Sequence, residues 1–363
     1  MNTQFHPLEI SAVRAETEDA IAVSFVVPDE LKEQFAFQQG QYLTLEESIG
    51  GESVRRSYSI CSGVNDDGLT VGIKKVEGGQ FSTHAHEHFK VGQTVKVMQP
   101  AGGFTSSLDS GASKHYLCIA AGSGITPILS IISTVLDVEP MSEVTLLFGN
   151  QRVSSIMFKD ELDALKNRYM SRFQLIHVLS RESREADILN GRIDNKKGAA
   201  LCEHLLDLAA VDEFFLCGPE AMISEVSRGL RAFGIDGEKI HYELFGASAA
   251  DAEAALAKHR ERAANAQGRS SEVLVIADGR ETRLELAPDG ENILDAALDA
   301  GLDLPFACKG GACATCKARV TEGEVEMDVA HALEAHEAEA GFVLSCQAHP
   351  ISERVVIDFD RAV

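Results

Sequence analysis

Three cysteines crowd into one short loop. Cys308-Lys-Gly-Gly-Ala-Cys313-Ala-Thr-Cys316 has the form C-x4-C-x2-C, and a fourth cysteine, Cys346, follows after 29 further residues. That is the plant-type [2Fe–2S] spacing. Four thiolates carry two irons, and the bridging sulfides add negative charge that inward-turned backbone N–H groups must offset. Gly310, Gly311 and Ala312 suit such a loop because little or no side chain keeps the backbone away. A structural zinc site and four unrelated thiols are the alternatives. Zinc usually pairs two short C-x2-4-C knuckles, whereas here the x4 and x2 spacings adjoin and the last cysteine stands alone, which favours iron and sulfur.

The loop lies in a separate unit over residues 271–363. Glu272–Ala277 and Thr282–Leu286 read as a hairpin around Asp278-Gly279, followed by a helix at Ile293–Ala300 and a closing strand at Val355–Phe359. This segment holds 7 basic and 19 acidic residues, a balance of −12 within a chain total of −23. Such a surface repels phosphate backbones and anionic membranes, so neither nucleic acid nor membrane is an expected partner. It favours solubility or a basic protein partner. The opening Met1–Pro7 has no basic stretch leading into an apolar one, and the longest apolar runs fall far short of the roughly 20 residues of a membrane span. The expectation is a cytoplasmic chain whose cysteines stay reduced unless they bind metal.

Residues 1–110 have a β rhythm. Short runs at Ala20–Val27, Gln41–Glu46, Arg55–Cys61, Leu69–Val76 and Thr94–Met98 predict an antiparallel barrel or sandwich, with one helix at Ser82–Phe89. Residues 111–246 alternate instead. Strands expected at His115–Ala120, Val144–Phe148, Phe173–Val178 and Glu213–Leu216 are interleaved with helices at Thr126–Leu136, Met157–Arg168, Ala199–Leu208 and Glu220–Phe233. That βαβα order predicts an open parallel α/β sheet. Residues 247–270 are rich in alanine and charge, with Leu256 the one large apolar side chain, and read as a linker that is helical in part.

Within the β region, Arg55-Arg56-Ser57-Tyr58-Ser59 precedes Gly78-Gly79-Gln80-Phe81-Ser82, which opens the helix. A glycine-led helix N-terminus suits a pyrophosphate. Arg56 adds positive charge, Tyr58 a flat face and Ser59 a hydroxyl. His84, His86 and His88 read as surface residues. In the α/β region, Gly122-Ser123-Gly124-Ile125-Thr126-Pro127 follows the first strand, and Cys217-Gly218-Pro219 follows the fourth. Both turns fall at carboxyl ends of parallel strands, where open sheets bind ligands. No acid follows the second strand, which ends Gly149-Asn150-Gln151-Arg152, and the third ends Ser180-Arg181. A missing carboxylate with two arginines nearby favours NADPH over NADH. Cys118 and Cys202 read as ordinary core or helix residues.

In this order the motifs resemble those of the ferredoxin–NADP reductase superfamily, and the likeness covers nearly the whole chain. The resemblance implies a multidomain protein: an antiparallel β-barrel binding FAD, an α/β domain binding NADPH, and an α+β plant-type ferredoxin of the β-grasp type. It implies that Arg56, Gly79 and Ser82 hold the FAD pyrophosphate, that Tyr58 stacks on the flavin, and that Ser59 lies near flavin N5. It places Gly122, Gly124, Thr126 and Gly218 against the nicotinamide nucleotide, Cys217 near the hydride-transfer carbon, and Phe245 close to the flavin. Cys308, Cys313, Cys316 and Cys346 become the cluster ligands. Arg152 and Arg181 are left for the 2′-phosphate.

A hydride brings two electrons while one [2Fe–2S] cluster takes one at a time, and a flavin handles both steps. The implied activity is electron transfer from NADPH through FAD and the cluster to a multicomponent oxygenase of the di-iron type. A reductase of another oxygenase, such as a steroid or aromatic hydroxylase, or of a hybrid-cluster protein is the alternative. A non-catalytic redox sensor with the same cofactors belongs to a different class.

Overall fold

The computed structural model describes residues 4–194, 207–246, 249–266, 268–333 and 335–362. The chain forms two compact units, Phe5–Glu243 and a second from Leu244 onward. Most of the helix expected at Ala199–Leu208 lies outside the described residues, as does Cys202. The described Leu208–Ala210 is a single 3-10 turn. No described helix is long and apolar enough to cross a membrane.

The first unit begins with six antiparallel strands. These are β1 (Phe5–Thr17), β2 (Ala20–Val26), β3 (Tyr42–Ile49), β4 (Glu52–Ser59), β5 (Leu69–Lys74) and β6 (Thr94–Met98), in the spatial order β4-β3-β6-β1-β2-β5. An Ile60–Val71 bridge joins the two outer strands and rolls the sheet into a barrel. Alternate residues fill it, including Leu8, Ile10, Val23, Phe25, Leu43, Leu45, Val71, Ile73, Val95 and Val97. Two-residue periodicity puts those side chains on one face of each strand. Helix α1 (Gln80–His88) packs against β3, β4 and β5, and its buried Phe81 and Ala85 join the same core.

Five parallel strands follow: β7 (His115–Ala121), β8 (Glu143–Asn150), β9 (Phe173–Leu179), β10 (Glu213–Cys217) and β11 (Ile240–Glu243), in the order β11-β10-β7-β8-β9. Helices α2 (Ile125–Val138), α3 (Lys159–Arg168) and α4 (Glu220–Ala232) accompany them. The chain runs outward from β7 through β8 and β9, then returns to place β10 on the other side of β7. That reversal opens a crevice at the carboxyl ends of β7 and β10.

Barrel and α/β sheet share a tight seam. A Cβ on Gly72 of β5 would lie 2.5 Å from Thr126 Cγ2 and 3.1 Å from the Phe158 ring. Phe158, at a φ of 56°, also donates its N–H to Glu16 Oε2 at 3.1 Å. Ser130 Oγ donates to the Ser62 carbonyl at 2.7 Å, and the Val64 N–H to Thr134 Oγ1 at 3.2 Å.

The second unit opens with an 18-residue helix, α5 (Ala249–Ala266). Strands β12 (Ser271–Ala277) and β13 (Arg280–Leu286) then form the expected hairpin, with Asp278 and Gly279 at positive φ. Helix α6 (Ile293–Asp299) starts at Asn292, whose side chain accepts the Asp295 N–H. Then come β14 (Lys317–Glu322), β15 (Val325–Met327), helix α7 (Ala335–Glu339), β16 (Phe342–Leu344), β17 (Ala348–Pro350) and β18 (Arg354–Asp358). The main sheet runs β13-β12-β18-β14-β16, and β15 pairs with β17. The alanine-rich stretch is more firmly tied than its composition suggests. Arg262 on α5 is 4% exposed and paired to Glu326 and Asp328. A buried arginine with two carboxylate partners anchors a helix that has almost no large apolar side chain of its own.

The seam yields a prediction. Gly72→Ala should destabilise the first unit by about 1–3 kcal/mol, the usual cost of overpacking. Adding Thr126→Ser removes the opposing methyl and should recover part of the loss, since the two changes meet at one contact. Urea unfolding followed by circular dichroism measures both, and equal losses in the single and double variants would refute the contact.

Candidate electron-transfer site

Strand β4 carries Val54, Arg56 and Tyr58 on one face. Val54 joins the barrel core, and Tyr58, half-buried, packs against it and meets the Phe81 ring of α1 at 5.7 Å. Burial holds the Tyr58 phenol above its ordinary pKa. Arg56 is exposed and donates to the Arg55 carbonyl, and no described carboxylate pairs with it. Gly79 caps α1 without any side-chain cap bond, so the first N–H groups of the helix remain for a ligand. A Cβ there would lie 2.7 Å from Ser82 Oγ and 3.0 Å from the Val76 carbonyl oxygen. Ser82 itself is buried, and its Oγ accepts the Val76 N–H. It shapes the glycine turn from within. An uncapped helix start, a glycine that admits no side chain, an unpaired arginine and a tyrosine fit a flavin nucleotide.

The two α/β turns touch each other. A Cβ on Gly124 would lie 2.2 Å from the Cys217 carbonyl oxygen, and one on Gly218 would lie 2.8 Å from Met222 Cε. Gly122 takes a φ of 55°, a conformation glycine adopts without steric cost. Thr126 is buried, with its hydroxyl donating to the Ser123 carbonyl and its methyl over Gly72. Its side chain therefore serves the turn and the seam. Asn150, also buried, keeps an Nδ2 with no hydrogen-bond partner among the described residues. That orphan donor at the end of β8 fits a nucleotide. Beyond it the loops after β8 and β9 are laced together: the Arg181 N–H donates to the Gln151 carbonyl at 2.9 Å, and the Val153 N–H to Glu182 Oε2 at 2.9 Å. Arg152 and Arg181 are exposed on these two adjoining loops.

Ser59 and Cys217 are brought together by a residue that sequence reasoning missed. Glu243 ends β11 as the register neighbour of Cys217, and Ser59 Oγ donates to its Oε2 at 3.2 Å. Burial pushes the Glu243 carboxyl up to about 8, against the opposing pull of the Ser59 bond. The fully buried Cys217 thiol is raised by burial and further by the neighbouring Glu243 charge. It stays neutral at working pH. The only sequence signal for Glu243 is a lone acid closing the short stretch Ile240–Glu243. Phe245, two residues further along the chain, is exposed.

The four cluster cysteines all lie in the second unit. Cys316 and Cys346 are buried, while Cys308 and Cys313 are partly exposed. The loop carries three residues at positive φ, Lys309, Gly311 and Ala314. Such alternation turns successive N–H groups into an anion-binding concavity. The Gly310 N–H reaches Cys308 Sγ at 3.3 Å. Contact with the Cys313 thiol, supported by backbone N–H groups, lowers the Cys308 pKa. Gln347 Nε2 donates to the Lys309 carbonyl at 3.0 Å and approaches Cys346 Sγ at 3.6 Å. Four sulfurs lined by inward donors fit a [2Fe–2S] cluster.

Comparison with known proteins finds three family matches. Residues 7–105 match the oxidoreductase FAD-binding domain, 118–228 the oxidoreductase NAD-binding domain, and 275–350 the 2Fe-2S iron-sulfur cluster binding domain. The chain is 44% identical over 358 residues to a component of the 1,2-phenylacetyl-CoA epoxidase of Escherichia coli, covering 99% of this chain and 98% of that protein. It is 34% identical to the ferredoxin reductase component of 3-ketosteroid-9-alpha-monooxygenase from Rhodococcus rhodochrous, covering 97% and 96%. Phthalate dioxygenase reductase shares the fold, with a TM-score of 0.58 at 21% identity over 98% of each chain. The chain thus belongs to the ferredoxin–NADP reductase superfamily, as an NAD(P)H-dependent oxidoreductase that joins FAD-binding, NAD-binding and [2Fe–2S] domains in one polypeptide.

Proposed function

We propose that the chain is the reductase component of an oxygenase that epoxidises phenylacetyl-CoA, drawing electrons from NADPH and delivering them singly to a di-iron partner. The observation that carries this reading is the three-part site itself, one unit for hydride capture and another for single-electron delivery, in a chain 44% identical over nearly its full length to the epoxidase component. The domains we assign are residues 1–110 for FAD, 111–246 for NADPH, 247–270 as the connecting segment and 271–363 for the cluster. FAD supplies the two-electron to one-electron conversion, and the cluster supplies single-electron transfer.

The chain's own groups supply position and protons. Arg56 and the open N-terminus of α1 at Gly79 bind the pyrophosphate, and Ser82 holds that turn in shape. Tyr58 offers its ring to the isoalloxazine. Gly122, Gly124 and Gly218 leave room for the nicotinamide above Cys217, while Thr126 fixes the turn. Ser59 and Glu243 would serve the bound flavin as a hydrogen-bonded pair. Below about pH 8 Glu243 is a neutral acid one hydrogen bond from Ser59 Oγ, so Glu243 holds the proton that Ser59 relays.

Three results follow. NADPH-dependent flavin reduction should slow as pH rises through about 8, and Glu243→Gln should remove that inflection; an unchanged pH profile in the variant would exclude the relay. Wild type should prefer NADPH, and Arg181→Ala or Arg152→Ala should lower kcat/KM for NADPH about 10- to 100-fold more than for NADH, as loss of a charge-assisted contact worth roughly 1.5–3 kcal/mol implies. A wild-type preference for NADH sinks the phosphate assignment. Cys313→Ser should keep its flavin and let NADPH reduce it, yet fail to support phenylacetyl-CoA turnover when mixed with the oxygenase components. If that variant supports turnover as fast as wild type, the cluster lies off the electron path.

A further inference from the structure

A buried arginine and several half-buried charges meet where α5 packs on the segment Val325–Ala332. Arg262 Nη1 donates to Glu326 Oε2 at 2.7 Å, and Nη2 lies 2.7 Å from Asp328 Oδ1. One turn back, Lys258 Nζ donates to the carbonyls of Met327 at 2.7 Å and Asp328 at 3.0 Å. Near the start of the helix, Asp251 Oδ2 meets His331 Nε2 at 2.9 Å. Residues 251, 258 and 262 share one face of the helix, since seven and four residues each make nearly whole turns. That face therefore grips the 325–332 segment along its length.

The gripped segment is also the backing of the cluster loop. The Val329 carbonyl oxygen lies 3.0 Å from where a Gly311 Cβ would be, and the Ala332 N–H donates to the Gly311 carbonyl at 3.0 Å. On the other side, Met327 Sδ accepts the Leu344 N–H at 3.3 Å, and the Asp328 N–H donates to the Gln347 carbonyl at 2.9 Å. Asp328 Oδ2 further meets His349 Nε2 at 3.1 Å. The segment thus touches both stretches that carry cysteines, 308–316 and 344–347. Gln347, which it holds through the backbone, is the residue whose amide approaches Cys346 Sγ.

We propose that α5 is a clamp on the cluster site, and that Arg262 is a positioning residue that holds the 325–332 segment against both cysteine-bearing stretches. Helix docking and cluster retention are then coupled, each favouring the other as linked equilibria must. The arginine fork suits the task because it reaches two carboxylates at once, which a lysine point charge does not. Through Gln347 the same clamp sets a donor near a ligand sulfur, and such donors tune cluster potential. This inference rests on the [2Fe–2S] reading, which the iron–sulfur absorbance of the purified wild type tests separately.

The experiment uses the full-length protein loaded with FAD and cluster. Arg262→Met should bleach at least fivefold faster than wild type in excess EDTA, with Arg262→Lys in between. Its cluster midpoint potential should fall, while flavin content and the rate of flavin reduction by NADPH stay within twofold of wild type. Bleaching at the wild-type rate overturns the proposal, and so does fast bleaching with an unchanged potential, which marks simple loss of domain stability. A second measurement needs no variant. Amide exchange over 249–266 should be faster in wild type stripped of its cluster than in the loaded protein; equal exchange overturns the coupling even if Arg262→Met does not fold.

Discussion

The contact between Gly72 and the Thr126–Phe158 pair sets the spacing on which the first unit depends. A barrel strand without a side chain at that point lets the α/β domain approach to van der Waals distance. Ser130 to Ser62, Val64 to Thr134 and Phe158 to Glu16 then fix the approach by hydrogen bonds. Only with that spacing does Ser59, carried by the barrel, reach Glu243 at the end of the last α/β strand. Reacting atoms in hydride transfer must meet at roughly 3–3.5 Å. A seam of close-packed atoms and short hydrogen bonds is the element able to hold such a tolerance, because packed interiors resist small displacements.

The nucleotide turns obey a similar constraint at shorter range. Gly124 packs directly on the Cys217 carbonyl, so the loops after β7 and β10 form one floor. Cys217 is a small neutral thiol on that floor. With Glu243 as its register neighbour and burial around it, ionisation is disfavoured. Of Cys217 and Glu243, the carboxyl is the one that burial brings to about 8.

The parts legible in the sequence are those where chemistry forces a spacing or a backbone conformation. The C-x4-C-x2-C loop reports its own cofactor. The βαβ alternation reports the parallel sheet, and Asp278-Gly279 its hairpin turn. Less legible are features that depend on long-range partners. Glu243 is an unremarkable acid in the sequence, and its raised pKa arises from burial, with Ser59, 184 residues away, as its hydrogen-bond partner. The backbone bonds of Thr126 to the Ser123 carbonyl and of Ser82 from the Val76 N–H are equally invisible in the sequence, since they depend on how each glycine turn folds. The alanine-rich stretch reads as a linker for want of apolar residues. Its anchorage is ionic, through Arg262, whose partners Glu326 and Asp328 lie far along the chain.

The two units answer different physical demands. Hydride capture needs fixed geometry, and the first unit supplies it by burying its seam. Delivery of a single electron to a separate protein needs a site that the partner can approach, and Cys308 and Cys313 are partly exposed where Cys316 and Cys346 are not. The charge balance of −12 over residues 271–363 is one that a basic partner surface would complement. Complementary charge raises association rates more than it raises affinity, and its reach is about 8 Å at physiological salt. A carrier that must release its partner after each electron gains from fast encounter and gains little from tight binding. An acidic domain would serve that need better than an apolar patch, which would lengthen the residence time of every complex.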